Sequence, residues 1–403
     1  MDRTLKIAEI NPGIISIPPK KWGAIEEIIW QYKINFEKLG HTVDIKYSDE
    51  LSADDDYDLI HLHVGRLAVE SDHLEGGLIH RQVPYIFTMH DVHSHLGGRR
   101  SKAYIHNEYA IKGSEFSTVG CKMFRDVFPS SCRNKLEWLL HGVDTDFFKP
   151  PDVRESRFSG QHRLLCVGMK EPRKQFHLAI EAAQMLDLPI TIVGPEHDHC
   201  KEYALRHFYN SKYDKLTLIE DSNKNKLREI HNTHDILVHP SLCETGNPCL
   251  AVMEAMSSGL PVVGTNMDDY YNDHQDGFPD FSTIPGFINC INDVEDIAKR
   301  IKILIEDYDN RSKAARDFAL EHSWPKVCKR ILDIFEKRKS EDYNKSRSSS
   351  LFDQILARAK YMDEKEHEEK LQKLGRPHHS IPQSMGKSWL TFHLEVLRKE
   401  LNI

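Results

Sequence analysis

One segment of the sequence, residues 239–265 (HPSLCETGNPCLAVMEAMSSGLPVVGT), constrains the fold of the chain more than any other. It starts where an apolar strand, DILVHP, ends, and it passes through a polar loop into a short helix expected from Cys249 to Ser258. The helix stops at Gly259, and a second apolar strand, LPVVGT, follows. A strand, a helix and another strand in this order predict a parallel sheet with helices on its faces.

The loop and the helix of this segment also predict an anion-binding site. The first N–H groups of a helix have no partner within the helix and lie at the positive end of its dipole, which favours a phosphate. Two carboxylates flank them, Glu244 in the loop and Glu254 on the helix, and each can accept hydrogen bonds from vicinal hydroxyls. A phosphate site beside two hydroxyl acceptors indicates a nucleotide-sugar ligand. The other residues expected around this ligand are Gly246, Asn247, Pro248, Cys249 and Leu250.

Strands and helices alternate along the rest of the chain. The first half has five apolar runs typical of buried strands, and the second half has three more before the segment itself. A helix is expected after the first run, from about Gly23 to Gly40. In parallel sheets built this way, ligands bind beyond the carboxyl ends of the strands. The eight runs are LKIAEI, HTVDIKY, DLIHLHV, YIFTMHD, SEFSTVG, RLLCVG, PITIVGP and KLTLIED.

The composition is that of a soluble protein large enough for two hydrophobic cores, at 403 residues. The net charge of −8 predicts no general attraction to nucleic acid, although a local basic groove stays open as an alternative. Eight scattered cysteines without a CxxC pair indicate a reducing compartment. No signal peptide or long apolar run is recognisable, so we expect a cytoplasmic protein without a transmembrane segment.

Residues 239–265 resemble the donor-site signature of retaining glycosyltransferases of the GT-B fold, in particular family four of these enzymes. The common signature has two glutamates in the pattern Glu-x7-Glu, and Glu254 in MEAMSSGLPVV fits its second position. Glu244 lies ten residues before Glu254, so the loop ETGNPCL is two residues longer than the common form. The resemblance spans about residues 5–338 and is strongest at 239–265.

The resemblance implies an α/β chain with GT-B architecture, in which two Rossmann-like domains have parallel sheets that face a cleft. Residues 1–150 are expected to form the acceptor domain, and residues 151–339 the nucleotide-sugar domain with its closing helices. Residues 340–403, which no resemblance covers, have leucines at helical spacing and predict a helical extension. Its helices either fold back on the enzyme or on a second subunit, which gives a homo-oligomer, or recruit the acceptor or a partner.

Two segments of the first half add to the resemblance. PPKKWGAIE is similar to a PPxxYGGxE segment whose backbone approaches the donor phosphate and the acceptor, with Ala24 in place of one glycine, and this implies donor-binding roles for Gly23 and Glu26. His90, at the end of PYIFTMHD, matches a histidine that reaches the donor sugar near the reacting carbon. The histidine-rich stretch HDVHSH, together with His61 and His63, supports a metal site as the alternative.

The second half begins with HGVDTDFFKP, which looks like the NGVDxxxFxP segment that closes the first domain in this family. The run VGMKEPRKQ resembles VGRxxxxKG, whose arginine and lysine bind the diphosphate. Lys174 occupies the lysine position, but Met169 stands where the arginine is usual. Lys170 and Arg173 are the two candidates for the missing charge. The pair Ser323–Trp324 resembles the closing FSW element of the family.

The implied reaction moves a sugar from a nucleoside diphosphate to an acceptor hydroxyl, with retention at the anomeric carbon and without a metal cofactor. Lys174 and the helix N-terminus are expected to stabilise the departing diphosphate, and a preorganised group of this kind is worth about 10²–10³ in rate. Glu244 is expected to hold the sugar hydroxyls and Glu254 the ribose. His90 is assigned to the far side of the sugar.

Other functions are compatible with the same fold. A nucleotide-sugar epimerase needs no acceptor, but the loop ETGNPCLAVMEA fits those enzymes less well. A non-catalytic scaffold is compatible with the departures at Met169 and Ala24. If the chain is a transferase, its acceptor can be a glycan, a lipid, a protein or modified DNA. The identity of the sugar, the nucleotide and the acceptor does not follow from the sequence.

Overall fold

A computed structural model describes most of the chain as far as Ser340. The described residues are 3–13, 15–20, 23–47, 50–51, 55–69, 78–79, 84–90, 102–121, 127–152, 161–196, 200–220, 222–244, 246, 248–265 and 284–340. Asn247 and the predicted extension beyond Ser340 lie outside the described residues, as do residues 91–95. The described part divides into two compact units, one made of residues 3–141 with 324–340 and the other of residues 142–323.

The first unit contains a sheet of six parallel strands. The strands are β1 (Lys6–Asn11), β2 (Thr42–Tyr47), β3 (Leu59–Leu62), β4 (Ile86–Thr88), β5 (Ser117–Val119) and β6 (Leu136–Trp138). Their order across the sheet is β2-β1-β3-β4-β5-β6. The helices that precede the second unit are α1 (Ala24–Lys38), α2 (Arg66–Val69), α3 (Lys102–Gly113) and α4 (Ser130–Arg133).

Strand β1 lies inside this sheet because its residues are apolar on both faces. Ile7, Ala8 and Ile10 are completely buried, as expected for a parallel strand that is covered on both sides. Glu9 breaks the apolar run, and its side chain is completely buried as well. In the register of the sheet, Glu9 is the direct partner of His61 on β3. A buried carboxylate needs hydrogen-bond donors, and this pairing supplies one.

The second unit contains another sheet of six parallel strands, with the order β12-β11-β10-β7-β8-β9. The strands are β7 (Leu164–Val167), β8 (Ile190–Val193), β9 (Leu216–Ile219), β10 (Ile236–His239), β11 (Val262–Gly264) and β12 (Phe287–Asn289). The helices are α5 (Phe176–Leu186), α6 (Lys201–Ala204), α7 (Lys224–Thr233), α8 (Leu250–Ser257), α9 (Val294–Glu306) and α10 (Tyr308–Glu321). A π-helical turn, Leu205–Tyr209, continues α6. The last helix, α11 (Trp324–Ser340), belongs to the first unit.

The two parallel sheets confirm the predicted α/β class with two Rossmann-like units. The order strand, helix, strand in residues 239–265 is confirmed by β10, α8 and β11. Helix α8 ends before Gly259, whose φ of 76° is the left-handed conformation that commonly terminates a helix. In the part of the chain that the structure describes, no helix combines the length and apolar character that a membrane span requires.

Arg316 on α10 holds the start of the second unit in place. Its guanidinium donates to the backbone oxygens of Phe148 at 2.9 Å, Ser257 at 2.7 Å and Thr145 at 3.0 Å. The hydroxyl of Ser257, at the end of α8, donates to the same Phe148 oxygen. The segment HGVDTDFFKP is therefore attached to the helix that follows the predicted ligand loop.

Candidate active site

Glu244 is the centre of a charged cluster in the second unit. It lies in the loop between β10 and α8, and its side chain is 14% exposed, so a ligand can reach it. Lys174 Nζ donates to its Oε1, and Arg173 Nη1 lies 3.2 Å from its Oε2. His239 Nε2, at the end of β10, is 3.1 Å from Oε1. Three basic side chains therefore surround one carboxylate.

The two cations come from the turn that follows β7. Arg173 and Lys174 are consecutive in the 3-10 turn Pro172–Lys174. Gly168, directly after β7, has a φ of 143°, and a Cβ atom there would lie only 3.3 Å from Lys174 Cε. A side chain at this position would be strained and would crowd the lysine. Arg173 is fixed further by hydrogen bonds to the Cys243 backbone oxygen and, at 2.6 Å, to Glu171.

Arg173, and not Lys170, supplies charge to this cluster. Lys170 is completely buried, and its Nζ donates to the backbone oxygen of Gly194 at 2.8 Å. Burial lowers the pKa of Lys170, against the raising influence of Glu220 and Glu196. Of the two candidates for the charge missing at Met169, the structure therefore places Arg173 on Glu244.

The electrostatics of the cluster keep Glu244 ionised. Burial raises the pKa of this carboxyl, but Lys174, Arg173 and His239 together hold it well below its ordinary value. Burial lowers the pKa of His239, whereas the adjacent Cys249 and Glu244 raise it to about 9. Glu244 is thus an anion whose negative charge is balanced by groups that are themselves able to bind phosphate.

Cys249 connects this cluster to the N-terminus of α8. It is the N-cap residue, with φ of −79° and ψ of 170°, and no side chain caps the helix there. Its Sγ lies 3.6 Å from His239 Nε2. Burial raises the pKa of the Cys249 thiol, but His239 lowers it to a net value below the ordinary one. The positive end of the α8 dipole therefore lies beside Glu244 and its two cations.

The structure brings together four of the predicted residues of the second unit, Arg173, Lys174, Glu244 and Cys249. Gly246 and Pro248 are buried in the same loop, and Leu250 begins α8. Glu254 is buried farther along α8. These residues form one face of a site that can accept a phosphate and offer a carboxylate to hydroxyls.

In the first unit, His90 ends a buried chain of hydrogen bonds that starts at Glu9. Glu9 Oε1 is 3.1 Å from His61 Nδ1, and Glu9 Oε2 is 2.6 Å from His63 Nε2. His63 Nδ1 is in turn 3.0 Å from His90 Nε2. The His90 ring stacks on His141, with 4.8 Å between the ring centroids. His90 is therefore held from two sides.

This chain contains one ionised carboxylate, and burial favours the neutral form of His63 and His90. Burial raises the pKa of Glu9, but His61 and His63 lower it to about 2. Burial lowers the pKa of His63 to about 4 and that of His141 to about 4, and it places the pKa of His90 well below its ordinary value. His90 is thus an uncharged imidazole at neutral pH, suited to exchange hydrogen bonds with hydroxyls rather than to bind anions.

Gly23 and Glu26, the other predicted residues of the first unit, lie at the start of α1. Gly23 is the N-cap residue, and its backbone oxygen accepts from Glu27 N at 2.9 Å. A Cβ at Gly23 would lie 3.1 Å from Glu26 Oε2 and 3.0 Å from Pro19 Cβ. Glu26 is buried, so the glycine makes room for a carboxylate that folds back over the helix start.

Two groups among the described residues have ligand atoms close enough together to hold a metal ion, Glu9–His61–His63 and His239–Glu244–Cys249. Their donor types suit zinc. In the first group, hydrogen bonds within the chain already engage the imidazole nitrogens and both carboxylate oxygens. In the second group, a metal would have to compete with the cations of Lys174 and Arg173. We therefore derive no step of the reaction through a metal.

Sequence reasoning missed His239, Glu9 and His141 as members of these clusters. A usable signal existed for His239, since it ends a strand next to the ligand loop. A second signal existed for Glu9, a carboxylate inside the apolar run LKIAEI. No local pattern marks His141, because its contact with His90 joins residues that are far apart in the chain.

Curated relatives match this chain over half its length or less. Sulfoquinovosyl transferase SQD2 of Arabidopsis thaliana is 26% identical over 219 residues, which are 50% of this chain and 40% of that protein. A GDP-mannose-dependent alpha-mannosyltransferase of Mycobacterium tuberculosis is 26% identical over 206 residues, 48% of this chain and 49% of that protein. The chain thus spans less than half the length of either relative.

Solved structures share the fold over a larger part of the chain. The sucrose-phosphate synthase of Thermosynechococcus elongatus superposes with a TM-score of 0.61 at 13% identity, covering 84% of this chain and 100% of that one. This likeness identifies the architecture as GT-B, as predicted. Residues 149–319, which include Arg173, Lys174 and Glu244, match the family described as Glycosyl transferases group 1. Residues 149–319 of this chain are thus similar to the members of that family.

Proposed function

We propose that the protein is a retaining glycosyltransferase that moves a sugar from a nucleoside-diphosphate sugar to an acceptor hydroxyl. The family match supports the reaction class and the nucleotide-sugar donor. The observation that carries the proposal is the cluster around Glu244, in which Lys174 and Arg173 lie on a carboxylate beside the N-terminus of α8. This arrangement offers a phosphate site and a hydroxyl acceptor within one loop.

The cluster gives each residue a role. When the donor binds, its diphosphate replaces Glu244 as the partner of Lys174 and Arg173, because phosphate oxygens accept charge-assisted hydrogen bonds as carboxylates do. Glu244 is then available to the hydroxyls of the sugar. As the glycosidic bond breaks, negative charge grows on the diphosphate, and the two cations and the α8 dipole stabilise it. Glu254 is assigned to the ribose, and His90 to a hydroxyl of the sugar.

The reaction needs no metal cofactor under this proposal, since Lys174 and Arg173 supply positive charge to the leaving group. We also propose a cytoplasmic location. All eight cysteines are free thiols, and all eight are buried, which fits a reducing compartment. The acceptor is a hydroxyl on a glycan, a lipid, a protein or modified DNA, and the net charge of −8 disfavours nucleic acid among these.

A thermal-shift screen against uridine, guanosine and adenosine diphosphate sugars tests the proposal first. A ligand that binds only the folded state, present at 100 times its Kd, adds about 2.7 kcal/mol to the free energy of unfolding. We expect one nucleotide series to raise the melting temperature, with the intact donor above the free diphosphate. Absence of any shift would favour a non-catalytic scaffold.

The donor from that screen then separates a transferase from an epimerase. Incubation with the donor alone, followed by NMR of the sugar, leaves its stereochemistry unchanged if the protein is a transferase. An epimerase inverts one ring carbon without any acceptor. With an acceptor added, the anomeric coupling constant of the product distinguishes retention from inversion, and an inverted product would refute the retaining mechanism.

The residues beyond Lys339 are proposed to fold back on the enzyme or on a second subunit. A chain ending at Lys339 is then expected to have a lower melting temperature or a smaller oligomer, with donor hydrolysis reduced in parallel. Unchanged stability, size and donor hydrolysis, together with poor transfer to the acceptor, would instead assign these residues to acceptor recruitment.

A further inference from the structure

When His63 is neutral, the contacts of the buried chain from Glu9 to His90 fit one arrangement of protons. An ionised carboxylate has no proton to donate, so both of its oxygens must accept. Glu9 Oε2 therefore accepts from His63 Nε2–H, across 2.6 Å. The pKa of Glu9 is lowered to about 2, so the carboxylate is ionised at neutral pH.

The proton on His63 Nε2 decides the state of its other nitrogen. A neutral imidazole has one N–H, so His63 Nδ1 carries a lone pair and can only accept. The His63 side chain is completely buried and shares the single carboxylate of Glu9 with His61, so the neutral ring is favoured over the doubly protonated one. The contact of 3.0 Å between His63 Nδ1 and His90 Nε2 is therefore a bond in which His90 donates.

The same reasoning applied to His90 leaves its Nδ1 without a proton. We propose that Glu9 and His63 are positioning residues that fix His90 in the Nε2–H tautomer and so present its Nδ1 as an acceptor for a hydroxyl of the donor sugar. The assignment of the hydroxyl rests on the proposed function, whereas the tautomer rests on the hydrogen bonds alone. A ring held this way accepts from a hydroxyl but repels a second acceptor, which gives the site a preference for sugars with an O–H at this point.

A second set of contacts at Glu9, which runs through His61 to Thr88 and is called the second branch, provides an internal control. Glu9 Oε1 accepts from His61 Nδ1–H at 3.1 Å, and His61 Nε2 lies 2.7 Å from the hydroxyl oxygen of Thr88. Thr88 Oγ1 in turn lies 2.8 Å from Thr118 Oγ1. This branch shares Glu9 and the burial of the first one, but it does not pass through His63 or His90.

The direct test is the tautomer of His90 in the wild-type protein. Two-bond ¹H–¹⁵N correlation spectra distinguish a protonated Nε2 from a protonated Nδ1, and the His90 signals are assigned by their loss in His90→Gln. At neutral pH we expect protonated Nε2 and bare Nδ1 on both His63 and His90. A protonated Nδ1 on His90, or an averaged mixture of tautomers, overturns the proposal without any need for activity.

Three variants extend the test. His63→Phe keeps a ring in place but removes the acceptor, and we expect His90 to populate both tautomers. In Glu9→Gln the amide has one acceptor and one donor, so His61 and His63 no longer both donate to it. If the proton of His63 moves to its other nitrogen in that variant, the proton of His90 is expected to move as well. A change of tautomer at His63 alone would contradict the coupling between the two rings. Thr88→Val changes only the second branch and is expected to leave His90 unchanged.

Kinetic measurements test whether the tautomer of His90 matters for recognition of the sugar. With the donor found in the thermal-shift screen, His63→Phe is expected to lower kcat/KM about tenfold, the effect of one hydrogen bond that is no longer held in place. Thr88→Val is expected to stay within about twofold of wild type, which is below the effect of one hydrogen bond. Unchanged kcat/KM in His63→Phe, despite a mixture of His90 tautomers, refutes the role toward the sugar. If no nucleotide sugar is a substrate, the proposed function fails while the tautomer result stands.

Discussion

Glu244 in the second unit is partly buried and Glu9 in the first is completely buried, and the protein keeps both carboxylates ionised with different partners. Glu244 is balanced by the cations of Lys174 and Arg173, whereas Glu9 accepts from the N–H groups of two buried histidines, His61 and His63. Cations can exchange a carboxylate for an incoming phosphate. The imidazole N–H groups on Glu9 instead fix which atom donates and which accepts in each hydrogen bond. Under the proposed function, the cluster around Glu244 exchanges its partners when the ligand binds and leaves, while the cluster around Glu9 keeps a fixed geometry.

The largest expected effect is that of Glu244→Gln on turnover. If Glu244 exchanges its cations for sugar hydroxyls, a neutral amide is a weaker acceptor, and we expect kcat to fall on the order of 10²-fold. Affinity for the free nucleoside diphosphate should stay equal or rise, because Lys174 and Arg173 lose a competing anion. Steady-state kinetics and calorimetry measure the two quantities separately.

The matched control for Glu244 is Glu229→Gln, since the Glu229 side chain is 62% exposed and its ion pair with Lys226 lies on the surface. Surface pairs of this kind contribute about 0–1 kcal/mol, so turnover should not change. If Glu244→Gln also turns over within about twofold of wild type, less than one hydrogen bond is worth, its carboxylate does not hold the sugar.

Lys174→Ala is expected to weaken nucleoside diphosphate binding by about 1.5–3 kcal/mol, the worth of a charged hydrogen bond. A nucleoside without phosphates should bind equally to both proteins. Calorimetry with both ligands measures this, and Lys302→Ala, which removes an exposed lysine of α9, is the control. Equal diphosphate affinity in Lys174→Ala would remove this lysine from the site and leave Arg173 as the residue to test.

The histidines near Glu9 and the histidine near Glu244 are also expected to change the stability of the fold in opposite directions as the pH changes. The folded-state pKa of His63, about 4, lies below the ordinary 6.5, so the unfolded chain binds more protons, and stability falls as the pH drops from 6.5 toward 4. Glu9 adds a further loss between its ordinary 4.5 and about 2. The pKa of His239 is raised to about 9, so its contribution is complete below 6.5 and is lost as the pH rises from 6.5 through 9.

Urea unfolding measures the acid response of the first unit. The described residues contain the tryptophans Trp30, Trp138 and Trp324, and these lie in the first unit, so their fluorescence reports on it. We expect a loss on the order of 2 kcal/mol between pH 7 and pH 5 from His63 and a similar loss from His141, whose pKa is also lowered to about 4, since one unit of pKa shift corresponds to about 1.36 kcal/mol. Thermal unfolding in the alkaline range measures the other response, which His239→Gln should abolish. An alkaline loss that persists in His239→Gln would refute its assignment.

The smallest expected effect is that of a chelator. Under the proposed function, Lys174 and Arg173 take the place of a cation at the diphosphate, so the rate of transfer should be the same with and without excess chelator. Complete loss of activity that is restored by a divalent ion would contradict this and would direct attention to His239, Glu244 and Cys249 as ligands.

The fold was largely predictable because its signals are local. The apolar run and turn residues of 239–265 predicted β10, α8 and β11, and the apolar spacing after Gly23 predicted α1. Strands β6 and β12 escaped prediction because each is partly exposed. Strands β4, β5 and β11 have the same length of three residues but are buried throughout, and they lie in apolar runs that can be recognised.

The site was predictable as a set of residues but not as a set of pairs. Lys174 and Glu244 followed from the resemblance, yet their ion pair joins residues that are 70 positions apart. The choice between Lys170 and Arg173 could not be made from the sequence, because it depends on which of the two side chains reaches Glu244 after β7. The proton order from Glu9 to His90 depends on strand register, because β1 and β3 place Glu9 opposite His61.

The return of α11 to the first unit has a consequence for how the protein is made. A ribosome delivers the chain from its N-terminus, and domains usually become able to fold in that order. Here Trp324 packs edge-on against Tyr32, with 5.1 Å between the ring centroids, and Val327, Cys328 and Ile331 are completely buried. The first unit therefore lacks part of its core until α11 has left the ribosome, by which time residues 142–323 are complete. The second unit of the sequence is expected to be the first to fold.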